Sequence, residues 1–314
     1  MGAKAMKTTE IKKLIKGPIA TVPTPFDENF EIDYGRMAEL AEMWVEQGLV
    51  KGKAVIKVAA AMGEGPMLSD SEWPALLRTV VQAAKGDAAV MCGLHFKDTK
   101  RTIEDAKKAQ DMGAIGLQVC PPIFNLPSQK DIADYFCDLS KAIDIGVMVY
   151  VTQGMDCPIS LDTYREMADF ENIVAIKWSN KVINAEYEDI FELSDSFNII
   201  DNTSQPILCH KNGGDGYINL TAEVYPPHDL KIWNLMENGD YSEAQDLFDS
   251  VNNPLRDFYG KTAVRSGGQG RVKKGLMHVM GNSVGSSRPP SKPLNLEELN
   301  ELREIVRGFG WPVK

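Results

Sequence analysis

The chain has 314 residues, of which 43% are hydrophobic and 25% charged, the composition of an ordinary globular protein. Its net charge of −10 argues against a nucleic-acid surface, because phosphates are neutralised by an excess of lysine and arginine. No apolar run approaches the roughly 20 residues of a membrane span, and the start lacks a signal-like hydrophobic core. We therefore expect neither a nucleic acid nor a membrane as a partner.

Cysteine and histidine usage bounds the chemistry further. The five cysteines are odd in number and scattered and form no C-x-x-C pair, which is typical of a reduced, cytoplasmic protein. The four histidines show no metal-ligand spacing. We expect a cytoplasmic protein without a metal site.

Short apolar segments alternate with amphipathic helices over the first two thirds of the chain. Most of these segments are continuously apolar, which indicates strands covered on both faces in a parallel sheet. The helices between them carry N-cap signals at Asp33, Ser69, Ser128 and Ser160. The predicted strands are 19–22, 54–60, 88–92, 115–119, 147–150, 173–177, 199–200 and 217–220.

Eight strands with helical crossovers of this length predict an α/β fold, a (β/α)8 TIM barrel. The strand signal stops near Thr221, and the remaining sequence predicts helices and a loop rich in proline and serine at 285–293. We therefore divide the chain into a barrel with a short N-terminal lead-in (1–222) and a C-terminal helical region packed on it (223–314). The predicted C-terminal helices are 230–237, 241–259, 273–280 and 296–306.

Two reactive side chains close successive predicted strands. Tyr150 ends one strand and Lys177 ends the next, and the carboxyl ends of barrel strands are where active sites form. A buried lysine with a lowered pKa can condense with a carbonyl, and a phenol can relay protons. The plainer alternatives are a lysine that snorkels to solvent and a core tyrosine. Lys57 is a rival amine, but it interrupts its strand well before the end, and we favour a structural ion pair for it.

Several motifs, in order along the chain, carry a resemblance to a known family. They are Thr24-Pro25-Phe26, Gly63-Glu64, Asn125-Leu126-Pro127-Ser128-Gln129, Tyr150, the strand ending at Lys177, Gly213-Gly214-Asp215-Gly216-Tyr217-Ile218 and Arg288-Pro289. Together they resemble the dihydrodipicolinate synthase / N-acetylneuraminate lyase family of class I aldolases. The resemblance implies a TIM barrel with C-terminal helices, assembled as a homotetramer.

The same resemblance implies roles for individual residues. Lys177 would form a Schiff base with a 2-oxo acid, typically pyruvate, without a cofactor, and Tyr150 would be the proton donor and acceptor. The backbone of Ala61, Met62 and Gly63, with Ile218, would surround the carboxylate and keto group.

Three further residues or segments are open to two interpretations. Thr24 would either orient Tyr150 or the lysine or act as a structural cap. For Glu64 a structural role is favoured. We interpret Gly213-Gly214-Asp215-Gly216 as a tight turn rather than a phosphate cradle.

The chain departs from the family pattern at several positions. Ala61 and Met62 stand where the family has two hydroxyl residues, and Val151-Thr152-Gln153 replaces Asn-x-Pro. Pro121-Pro122-Ile123-Phe124 lacks the tyrosine contributed across the subunit interface, and no arginine stands near Met155. These departures argue against lysine biosynthesis and resemble the hydratase-aldolase branch, which handles larger aryl or alkyl substrates. Thr152 and Gln153 would then bind the second half of the substrate.

Three hypotheses remain. The leading one is a Schiff-base lyase that performs aldol cleavage or condensation, or hydratase-aldolase chemistry, on a small-molecule 2-oxo acid. The alternatives are a dehydratase or cyclising synthase with the same lysine, and a non-catalytic barrel that binds a ligand or acts as a scaffold. A dinucleotide-dependent oxidoreductase is disfavoured, because no G-x-G-x-x-G follows a strand.

Overall fold

The structure, a computed structural model, describes residues 7–95, 97–151, 157–180 and 182–314. Eight parallel strands form a closed barrel in sequence order, β1 to β8, so the predicted (β/α)8 fold is confirmed. Each predicted strand overlaps an observed one. The strands are β1 (Gly17–Thr21), β2 (Val55–Val58), β3 (Ala89–Leu94), β4 (Gly116–Val119), β5 (Gly146–Tyr150), β6 (Ile173–Trp178), β7 (Asn198–Asp201) and β8 (Gly216–Tyr217).

Helices follow the strands and cover the barrel. In the described residues they are α1 (Thr8–Leu14), α2 (Tyr34–Glu46), α3 (Glu72–Ala83), α4 (Thr99–Asp111), α5 (Gln129–Ala142), α6 (Leu161–Met167), α7 (Ala185–Asp189), α8 (Pro206–Lys211), α9 (Pro226–Glu237), α10 (Tyr241–Ala263), α11 (Gln269–Val279) and α12 (Leu296–Gly308). The last four correspond to the four predicted C-terminal helices. None of the described helices is long and apolar enough to cross a membrane.

Local capping chemistry fixes where several helices begin. The side chains of Asp33, Ser128 and Ser160 each accept a hydrogen bond from a backbone N–H in the first turn of α2, α5 and α6, as predicted. Ser69 and Glu72 exchange hydrogen bonds just before α3. Because these bonds satisfy N–H groups that the helix leaves without partners, they determine the helix start locally.

The amino-terminal end of the barrel is closed by α1. Ile11 and Ile15 are fully buried against strand residues that point into the barrel. Glycines at 116 and 146 make room for them, since a Cβ on Gly146 would lie 2.6 Å from the Ile11 methyl and one on Gly116 would lie 2.9 Å from the Ile15 Cδ1. This seal leaves the opposite, carboxyl-terminal end as the open one.

The chain after β8 continues around the barrel. Trp233 of α9 packs with Tyr217 of β8 in one apolar cluster, and α9 contacts β1. From α11, Lys273 reaches β1 and donates to the Thr21 carbonyl at 2.9 Å. The C-terminal helices therefore contact the barrel, while the boundary at residue 222 stays a prediction.

Candidate active site

An amine and a phenol ring lie in contact at the open end of the barrel. Tyr150 and Lys177 are direct partners in the pairing of β5 with β6, so their side chains point to the same, inner face. The Lys177 Nζ lies 4.0 Å from the centroid of the Tyr150 ring. Tyr150 is 5% exposed and Lys177 7%, so the snorkelling alternative for Lys177 is wrong.

The environment of Lys177 favours its neutral form. Burial, and then the positive charge of Lys273, lower the pKa of Lys177 to about 7. An ammonium has no lone pair, so a lowered pKa is what a nucleophilic lysine needs at neutral pH.

Lys177 lines a cavity of about 510 Å³. A volume of this size suits a small-molecule ligand. The residues around it come from the ends of the strands and from α10: Thr21, Lys57, Ala60, Ala61, Met62, Tyr150, Lys177, Ser179, Asn202, Thr203, Ser204, Ile218, Asn219, Leu220, Asn252, Arg256 and Tyr259. Three of the predicted binding residues, Ala61, Met62 and Ile218, are therefore at the site.

Gly63 and Thr24 are not among the residues that line the cavity. The Thr24 hydroxyl donates to the Gly63 carbonyl at 2.6 Å, and a Cβ on Gly63 would lie 2.5 Å from the Val22 carbonyl oxygen. Because its hydroxyl hydrogen is bonded to the loop, Thr24 holds the turn after β2, which supports the structural interpretation, while its role in orienting Tyr150 or the lysine stays a prediction. It also lies beyond β1, which ends at Thr21. Thr152 and Gln153 lie outside the described residues.

Two other motifs are structural. Glu64 forms a salt bridge of 2.8 Å with Lys274 of α11, and both side chains are nearly buried, which ties the loop after β2 to the C-terminal region. The segment 213–216 turns directly into β8, with Gly213 at a φ of +93°. The predicted tight turn is confirmed, since this conformation favours glycine.

A buried ion pair lies beside the barrel interior. Lys273 pairs with Glu223, and both side chains are 0% exposed. Burial raises the pKa of Glu223 to about 7 and lowers the pKa of Lys273. Sequence reasoning missed this pair, because neither residue lies on a strand and 50 residues separate them.

The structural ion pair expected for Lys57 is wrong. Its Nζ donates to the Gln118 side-chain oxygen at 2.6 Å, a neutral partner, and no carboxylate of the described residues forms a salt bridge with it. The side chain is 0% exposed, and burial, then the charges of Lys177 and Lys273, lower its pKa well below the ordinary value. A polar residue inside an apolar strand segment was the sequence signal at both Lys57 and Gln118.

One part of the cavity wall is polar and was not predicted. Asn202, Thr203 and Ser204 follow β7, and Asn252 and Arg256 come from α10. Strand ends offered a signal for the first three residues. The helix residues had none, because their position depends on how α10 packs across the barrel mouth.

No cluster of histidine, cysteine, aspartate or glutamate within the described ranges could hold a metal ion. A closed barrel with a desolvated lysine against a tyrosine at its open end is the arrangement of a Schiff-base aldolase. The sequence profile of the dihydrodipicolinate synthetase family matches residues 14–308. The chain belongs to this family and is thus an enzyme of the lyase type.

Curated relatives and solved structures resemble the chain over nearly its whole length. A 4-hydroxy-tetrahydrodipicolinate synthase of Heliobacterium modesticaldum is 29% identical, covering 93% of this chain and 95% of the relative. The synthase of Cutibacterium acnes is 30% identical, covering 87% and 90%. The dihydrodipicolinate synthase structures from Aquifex aeolicus (TM-score 0.81, 24% identity, covering 96% and 100%) and Thermotoga maritima (0.84, 22%, covering 95% and 99%) share the fold.

Proposed function

We propose that the protein is a class I lyase that forms a Schiff base between Lys177 and a 2-oxo acid such as pyruvate. The observation that carries the proposal is the desolvated amine of Lys177 against the Tyr150 ring, at the open end of the barrel. The covalent lysine imine supplies the chemistry, so we propose no cofactor.

In the first step the neutral Lys177 amine adds to the keto carbon of the 2-oxo acid. The Nζ–C bond forms and the carbon–oxygen bond breaks, and the oxygen takes one proton from the amine and one from solvent and leaves as water. The product is an iminium, in which nitrogen keeps one hydrogen and the positive charge. An iminium is a better electron sink than a ketone, which lowers the barrier for breaking a bond one carbon away.

In the second step the adjacent carbon gives up a proton or an aldehyde fragment, and the electron pair moves into an enamine. We assign the proton transfers of this step to Tyr150, and the contact of its ring with Lys177 supports this assignment. In the reverse direction the enamine carbon attacks an aldehyde and Tyr150 protonates the new alkoxide. Water then releases the product from Lys177.

The second half of the substrate would lie against the polar wall of the cavity. Asn202, Thr203 and Ser204 after β7, with Asn252 and Arg256 from α10, offer hydrogen bonds to hydroxyl or charged groups. This lining supports a polar second half rather than the aryl or alkyl groups of the hydratase-aldolase branch. A cyclising synthase with the same lysine is the second candidate, favoured by the names of the curated relatives. A cytoplasmic homotetramer stays a prediction.

Reductive trapping tests the proposal. The protein is incubated with pyruvate and borohydride, digested, and analysed by peptide mass spectrometry. We expect one reduced pyruvate adduct, on the peptide that contains Lys177. The exposed Lys51 provides the control variant, Lys51→Met, which should trap as the wild type does. An unmodified protein would overturn the Schiff-base proposal and favour a non-catalytic, ligand-binding barrel.

A further inference from the structure

Lys57 and Lys177 belong to one layer of side chains inside the barrel. Interior layers of such barrels take four side chains from alternate strands. Lys57 pairs with Met91 on β3, and Met91 pairs with Gly116 on β4. Gln118 lies two residues further along β4, at the same level of the barrel as Lys57. The same stagger, across two strand pairs and two residues along, relates Gln118 to Lys177 on β6 and Lys177 to Ile218 after β8.

Branched apolar residues dominate such layers, yet this one holds two lysines and a glutamine. The cavity thus has three buried amines in or beside it, Lys57, Lys177 and Lys273, and one carboxylate, Glu223, which pairs with Lys273. A buried charge without a counter-ion is costly. Burial and the neighbouring amines therefore disfavour the charged form of Lys57, and an anionic ligand beside it would stabilise that charged form.

Unused hydrogen-bond donors lie next to Lys57. The Thr21 hydroxyl and the Gln118 amide nitrogen are buried and bond to no described residue. Thr21 pairs directly with Lys57 between β1 and β2, and both line the cavity. Native proteins rarely leave buried polar groups without partners, so such groups indicate where a ligand binds.

The Lys57 ammonium has three hydrogens, and one of them goes to Gln118. The two remaining hydrogens of Lys57 and the hydroxyl of Thr21 belong to residues that line the cavity, and they suit a group that only accepts hydrogen bonds and carries negative charge, while Gln118 positions Lys57. A carboxylate is such a group. The side chains of Ala61 and Met62, at the end of the same strand segment, offer no donors.

We propose that Lys57, supported by Gln118 and Thr21, binds the carboxylate of the 2-oxo acid that condenses with Lys177. The inference rests on the proposed function and deepens it. The two amines of the layer then have different roles. The carboxylate keeps Lys57 protonated, while Lys177 stays neutral and attacks the keto carbon. Lys57 is a substrate-binding residue and forms no covalent bond.

The test compares two ketones that differ only in the group Lys57 would bind. Pyruvate carries a carboxylate, whereas pyruvamide carries a neutral amide. The concentration for half-maximal borohydride trapping on Lys177 is measured for both, with wild type, Lys57→Met and the control Lys51→Met. We expect wild type and control to prefer pyruvate, and Lys57→Met to lower that preference at least about tenfold, the loss of one charged hydrogen bond.

Each outcome decides something. A Lys57→Met protein that traps pyruvate on Lys177 with an unchanged preference overturns the inference alone and leaves the Schiff-base proposal standing. A wild type that traps no pyruvate overturns both, as does an adduct on Lys57 instead of Lys177. If Lys57→Met does not fold, Thr21→Val replaces it, because this substitution keeps the shape of the side chain and removes one of the three donors. It should lower the preference severalfold, and an unchanged preference would overturn the inference.

Discussion

The two ends of the barrel interior are built from the same strands and differ completely in chemistry. At the amino-terminal end Ile11 of α1, with Ile15 directly after that helix, packs on strand residues in an apolar cluster. At the carboxyl-terminal end Lys57 and Lys177 line an open cavity, and the charge of Lys273 acts on Lys177. On β6, Lys177 at the cavity stands two positions after Ala175 in the apolar cluster. A single strand therefore serves stability at one level and chemistry at the next.

The largest expected effect on the chemistry comes from Lys177→Met. Without the amine neither an imine nor an enamine forms, so the exchange of the pyruvate methyl hydrogens for deuterium should fall to the rate without protein. Proton NMR in deuterated buffer measures this exchange and needs no knowledge of the aldehyde. Lys51→Met should exchange normally. Full exchange by Lys177→Met would mean that another group performs the chemistry.

Tyr150→Phe should have the next largest effect. It keeps the ring against Lys177 and removes only the hydroxyl, so the exchange rate should fall by about 10²–10⁴-fold, the contribution of a general acid–base group. Tyr135→Phe is the matched control, since that buried hydroxyl donates to Thr102 on the outer helices. It should cost about 1 kcal/mol of stability and leave exchange unchanged. Equal exchange rates in the two variants would exclude Tyr150 as the proton relay.

The rate of pyruvate trapping on Lys177 should also depend on pH, with a smaller effect than either substitution. Burial lowers the pKa of Lys177 to about 7, and only the neutral amine attacks a ketone. The initial rate of pyruvate trapping should therefore level off above pH 7 and fall about tenfold per unit well below it. Stopped measurements with cyanoborohydride, which reduces imines across this range, record the profile. A midpoint near the ordinary lysine value would show that the amine is solvated.

A substitution at the amino-terminal end of the barrel, which α1 closes, should change stability and leave the exchange chemistry unchanged. Ile11→Ala removes a fully buried side chain and should cost about 2–5 kcal/mol in the free energy of unfolding, against about 0.5–1.5 kcal/mol for a mild truncation such as Ile11→Val. Urea unfolding measures both. The exchange rate per folded molecule should match the wild type, and a loss of exchange that exceeds the unfolded fraction would show that the two ends are coupled.

Local signals were sufficient for the strands, the caps and the reactive pair. The ends of the apolar segments placed Tyr150 and Lys177 correctly, because a residue's position on a strand follows from its neighbours in sequence. The expected ion pair of Lys57 was wrong for the opposite reason. Its partner Gln118 lies two strands away, and only the stagger of the closed barrel brings the two side chains to one level.

The sequence by itself determined that eight strands alternate with helices, where most of them lie, and that one amine and one phenol close adjacent strands. Tertiary structure alone decided which groups surround that amine. Lys273, Asn252 and Arg256 come from helices far along the chain, and their place depends on how those helices pack. Hydrophobic periodicity indicates which face of a helix or strand is buried, but it does not indicate which residues pack against that face.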